Sequence, residues 1–130
     1  MFTNLTILSD AQAMARHAAT RQSVVAENLA NANTPGYKSR DMVSFQDVMA
    51  NRSTKIAMAA SRPGHIGSGS DPAAARIFAD NSAETSPDGN SVAVEEEILK
   101  SIEAERQHSR AITIYQSSLN ILRSSIGRGR

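Results

Sequence analysis

One stretch constrains this chain more than any other: Asn28-Leu29-Ala30-Asn31-Ala32-Asn33-Thr34-Pro35-Gly36-Tyr37-Lys38. Pro35 disfavours the α region for Thr34, so a helix running into it ends at or before Asn33. Thr34-Pro35-Gly36-Tyr37 puts Pro and Gly at the central positions of a type II turn, where Gly supplies the positive φ. Asn31 and Asn33 tolerate a left-handed C-cap, and their amides can bond the last free carbonyls. Whatever precedes this stretch is one element, and whatever follows must return to pack on it.

What precedes it is helical in pattern. Apolar or small residues recur at Leu8, Ala11, Ala15, Ala18, Val25, Leu29 and Ala32, spaced by three and four, with Gln22 in the one polar gap. This a/d stripe predicts a helix over 8–33, roughly 39 Å long, after a short irregular lead. After the turn, Ser44 stands three residues before Asp47 and predicts a short helix over 45–51, docked near the end of the first. Residues 52–90 hold two breaker clusters, 62–72 and 86–90, and predict a long irregular insert with at most a brief strand near Arg76 to Ala79. A last helix is expected over 91–127, with Glu95, Glu96 and Glu97 at its positive pole and Arg123, Gly127, Arg128 and Arg130 closing it. Its stripe runs Val94, Ile98, Ser101, Glu105, His108, Ile112, Tyr115, Leu119, Leu122, Ile126. The ends are apolar, the middle is polar, and Ile114 and Ile121 lie off the line, so this helix needs two partners. The fold class read from these patterns is all-α: a single domain, 1–130, whose two long terminal helices pair as an antiparallel, coiled-coil-like hairpin.

Several function classes drop out. Hydrophobic residues make up 40% of the chain but aromatics only 4%, so the core is thin and partners are expected to help hold it. A net charge of +1 argues against binding driven by phosphate neutralisation. The first basic residue is Arg16 and no apolar run follows it, so neither a signal peptide nor a membrane span is expected. His17, His65 and His108 lack metal-ligand spacing and read as surface or helix-face residues. Gly67-Ser68-Gly69 lacks the rest of a phosphate loop, and adjacent glutamates 95–97 diverge around a helix. No catalytic, cofactor or metal site emerges, and the chain does not read as an enzyme.

The opening stretch is similar to the N-(I/L)-A-N-x-x-T-P-G-Y-K signature of the bacterial flagellar rod and hook axial proteins, with Asn28, Ala30, Asn31, Asn33, Thr34, Pro35, Gly36, Tyr37 and Lys38 all in place. Pro87-Asp88-Gly89-Asn90-Ser91-Val92 before a Glu-rich helix start also resembles the proximal basal-body rod proteins, although Ala93 stands where they often carry Asp. The resemblance covers about the first 50 residues and the last 45. It implies a structural subunit of the rod, the hollow drive shaft for motility. Such a subunit is exported uncleaved by the flagellar type III apparatus into the periplasmic space. The implied partners are further copies of itself, the rod proteins FlgC and FlgF, and the hook-basal body protein FliE. The assembly seams would be Leu8 to Ala32 and Ile112, Tyr115, Leu119, Leu122 and Ile126. A soluble helical adaptor or export-associated binding module is the alternative the same helices allow.

Overall fold

Small side chains decide how the two long helices meet. The computed structural model describes residues 2–54, 76–80 and 84–127. Within them α1 (Phe2–Ala30) and α3 (Val94–Gly127) dominate the long-range packing. They run antiparallel, because Asn28 meets Glu97 while the earlier Arg21 meets the later Glu103. At 1.5 Å per residue their 29 and 34 residues span about 44 and 51 Å. The buried positions of α3 are Glu97, Ala104 and Ala111, each seven apart, and α1 offers Ala11, Ala18 and Val25 at the same interval. Seven-residue spacing on both partners is the coiled-coil-like seam of an all-α hairpin.

That seam is not the predicted stripe on α3. The large apolar residues of the stripe remain partly or largely exposed, with Ile126 80% exposed, and the buried line lies one residue to the side. Alanine on both helices permits close axes, and close axes leave no room for isoleucine between them. Among the described residues the buried apolar set is Ala11, Ala18, Val24, Val25, Met42, Val48, Ala104 and Ala111. It holds no Leu, Ile or aromatic, so hydrophobic burial at ~25 cal/mol per Å² supplies little here.

Element boundaries shift for local reasons. α1 begins at Phe2, where an irregular lead is expected, and ends at Ala30. Beyond it Asn31 N donates to the Glu27 and Asn28 carbonyls and Ala32 N to that of Leu29, a tightened last turn. Neither Asn31 nor Asn33 adopts the expected left-handed conformation. The expected amide bond does form at Asn31, whose side chain donates to the Glu27 carbonyl at 2.8 Å. α3 starts at Val94 rather than 91, because the Asn90 side chain accepts from Val92 N at 2.7 Å and holds that segment in a turn. Ala93 takes the N-cap, accepting from Glu97 N with its carbonyl.

Two short strands and one helix complete the fold. β1 (Arg40–Met42), which the sequence reading did not anticipate, pairs antiparallel with β2 (Ile77–Ala79) in the register Arg40 with Ala79 and Met42 with Ile77. α2 (Phe45–Thr54) is capped by Ser44, whose Oγ accepts from Asp47 N and donates to the Asp47 carboxylate. It docks mid-way along α1 and not near its end. His17 is buried at 3% exposure, against the surface reading. It donates from Nε2 to the Val43 carbonyl at 2.8 Å and meets the Phe45 ring edge-on at 5.5 Å. Most of the predicted insert, 55–75 and 81–83 and with it His65 and Gly67 to Gly69, lies outside the described residues.

Candidate functional site: the signature corner and the uncovered face of α3

The signature stretch forms the corner where the chain leaves α1, and it is closed by residues from the other end of the molecule. Tyr37 N donates to the Thr34 carbonyl at 3.3 Å and Gly36 has φ +74°, as a type II turn requires. Ser86-Pro87-Asp88-Gly89 makes a second turn, with Gly89 at φ +84° and its N–H on the Ser86 carbonyl. The two turns dock, Gly36 N donating to the Asp88 carbonyl at 3.0 Å. Asn90, buried, then donates its amide to the carbonyls of Asn31, Ala32 and Thr34 at 3.0, 2.9 and 2.8 Å. These are carbonyls of the turn that follows α1, since those of Glu27, Asn28 and Leu29 already accept from Asn31 and Ala32. The clamp comes from 56 or more residues away in sequence.

Asn28 is the pivot of the corner. It is 0% exposed and uses all of its amide. Its Nδ2 donates to the Arg40 carbonyl at 2.7 Å and to Glu97 Oε2 at 3.0 Å. Its Oδ1 accepts from Arg40 N at 3.1 Å and from the Tyr37 hydroxyl at 3.2 Å. Bonding both main-chain groups of Arg40, the side chain covers the edge of β1 as a neighbouring strand would. Other signature residues lie outward: Ala30, Asn33 and Pro35 are exposed, and Lys38 reaches Thr85 Oγ1 at 3.4 Å. Ser39 N donates to Ser91 Oγ at 2.9 Å beneath them.

A charge cluster that the sequence reading missed ties α3 to both strands. The Lys100 ammonium lies 3.0 Å from Glu97, 3.4 Å from Asp41 and 3.8 Å from Asp80, and Arg21 lies 3.7 Å from Asp41. Burial pulls the Lys100 pKa down, but the hydrogen bond to Glu97 and the charges of Asp41 and Glu97 outweigh it and raise it above 10.5. Burial raises Tyr37 above 10.0, with Glu27 and Glu97 adding to it and Arg40 opposing. Both groups hold their proton more tightly folded than unfolded. The stability they contribute is therefore complete below about pH 10 and is lost as pH rises through their folded values. The melting temperature should fall above about pH 10, and less steeply in Lys100→Met, which starts lower. An equally steep fall in that variant would remove Lys100 from the explanation.

The sequence-predicted seam residues distribute unevenly. On α1, Ala11, Ala18 and Val25 are buried, while Leu8, Ala15, Leu29 and Ala32 are half-buried. On α3, Leu119 and Leu122 are half-buried, and Ile112, Tyr115 and Ile126 are exposed together with Ile98, Leu99, Ile102, Ile114 and Ile121. Among the described residues no group of His, Cys, Asp and Glu could hold a metal ion, and no helix is long and apolar enough to cross a membrane.

Comparison with known proteins bears on these same elements. Residues 8–38 match the family model described as flagella basal body rod protein, a span that runs along α1 and through the corner. The chain is also 34% identical over 111 residues to the flagellar basal body rod protein FlgB of Agrobacterium fabrum (strain C58 / ATCC 33970), covering 83% of each protein.

Proposed function

This chain belongs to the flagella basal body rod protein family and is a structural subunit of the basal-body rod; from that premise we propose that its terminal helices join it to other subunits of the hollow drive shaft in its proximal part. The observation that carries this is the large apolar surface of α3 that α1 does not cover, with Ile98, Ile112, Tyr115 and Ile126 on one stripe and Leu99, Ile114 and Ile121 off it. One helix hairpin with an alanine seam cannot bury it, and a neighbouring subunit can. The corner sets the angle at which that face is presented. In this reading the neighbours are other copies, FlgC, FlgF and FliE. The subunit passes through the type III export apparatus without cleavage and takes its place in the periplasmic space. Its role is mechanical, with no catalytic step.

Deleting the gene should abolish swimming, and a tagged copy should restore it and co-purify with detergent-extracted basal bodies. An adaptor would behave otherwise: the tagged protein would remain in the soluble fraction, and basal bodies free of it would still carry complete rods.

A further inference from the structure

The groove between α1, α2 and α3 carries what the exposed start of α3 complements. Met14, Phe45 and Met49 give it an apolar side, and Arg21, Arg106 and Arg110 give it positive charge. Arg21 is engaged with Asp41 and Glu103. Among the described residues no ion pair holds Arg106 or Arg110, and none holds Glu95 or Glu96 at the exposed helix start. Between those glutamates and the arginines stands Leu99, 64% exposed.

Glu96, Leu99, Glu103, Arg106 and Arg110 follow one another at spacings of three and four and so share one face of α3. Glu96 and Arg106 are separated by about 15 Å along that straight face, so acid and base cannot meet within one chain. Two copies can bring them together. We propose that the groove receives the α3 start of a second copy of this chain, parallel to the first and displaced by about ten residues along the helix axis. Leu99 sits among Met14, Phe45 and Met49, and Glu95 and Glu96 face Arg106 and Arg110. This rests on the assembly reading above and gives it a partner and a register.

Charge complementarity selects this occupant. The chain's own segment 55–75 carries Lys55 and Arg62 against the single acid Asp71, the wrong sign for the groove. A two-fold antiparallel contact that sets Glu96 on Arg110 also sets Glu103 directly on its own copy, like charge on like, whereas the staggered contact brings Glu95 and Glu96 to two arginines beside one groove glutamate, Glu103, which Arg21 already holds. The staggered contact joins different surfaces of the two copies and does not close on itself, so it can repeat.

The chain has no cysteine, which makes a cross-linking test clean. Leu99→Cys and Met49→Cys variants with different tags are co-expressed, and isolated basal bodies are oxidised. The expected product is a disulfide-linked heterodimer. Adding Arg106→Glu and Arg110→Glu to the Met49→Cys chain should abolish it. Adding Glu95→Arg and Glu96→Arg to the Leu99→Cys chain should then restore it. Two results overturn the proposal with the rod reading intact: both variants present in basal bodies without a link, or Leu99→Cys linking to itself. Absence of both variants from basal bodies overturns the rod reading, and the proposal with it.

Discussion

Asn28→Leu is expected to destabilise the protein by about 3–5 kcal/mol, a large share of the 5–15 kcal/mol typical of a folded domain. The leucine is similar in size, so the loss is not one of volume. It leaves the Arg40 N–H and carbonyl without their partner, strips the Tyr37 hydroxyl of its acceptor, and removes one of two donors from Glu97, itself 2% exposed. A buried polar group deprived of its partner keeps its full desolvation penalty. Urea denaturation followed by circular dichroism measures the effect. The same account requires that Asn28→Leu with Glu97→Leu be less damaging than the two single losses added together, since the double change removes the stranded carboxylate as well. Strict additivity would show that Asn28 acts through something other than this network.

The second large effect separates two glycines that look alike in sequence. Gly36 has φ +74° and open space where a Cβ would stand. Gly89 has φ +84°, and a Cβ there would lie 3.3 Å from the Gly36 Cα and 3.6 Å from its nitrogen. Gly36→Val should therefore cost only the backbone strain of ~1–3 kcal/mol. Gly89→Val should cost more, because it also presses on main chain held by the 3.0 Å bond from Gly36 to Asp88. Asparagine tolerates the left-handed region, so Gly36→Asn should recover most of the stability and swimming. Gly89→Asn should recover less, since its Cβ still meets Gly36. Equal tolerance of asparagine at both sites would mean that the two turns do not press on each other.

What could be read from the sequence was fixed by chemistry local to a few residues. The type II turn at Thr34–Tyr37 follows from Pro and Gly in order, and the Ser44 cap from Asp47 three residues on. The antiparallel hairpin follows from two long stripes and a breaker between them. The face that α3 turns inward was not legible, because counting apolar residues favours the Ile98 to Ile126 line while packing selects Glu97, Ala104 and Ala111. Alanine wins that choice only when its partner helix is alanine-rich at the same level, which is a property of two segments together. Asn90 stood in a motif already noted, yet nothing local to it says that its amide belongs to carbonyls 31, 32 and 34. The ionic cluster joins Arg21, Asp41, Asp80 and Lys100 from four elements or their edges, and was hidden for the same reason.

The distant clamp on the corner after α1 has a kinetic consequence. A helix of this length relaxes in about a microsecond or less, but the carbonyls of the corner after it, 31, 32 and 34, lack the Asn90 amide until residue 90 arrives. Before that moment the corner is unclamped and α1 lacks its partner helix, and an isolated helix is marginal. Closing the chain between them is the slow event, as it is wherever contacts are far apart in sequence. Its entropic cost rises by only about 0.6 kcal/mol for each doubling of the intervening length. Length added or removed between α2 and β2 should therefore change the final stability little. The arrival of Asn90 and α3 should then set the folding time, and stopped-flow refolding of Asn90→Ala should be slower than that of the unsubstituted chain.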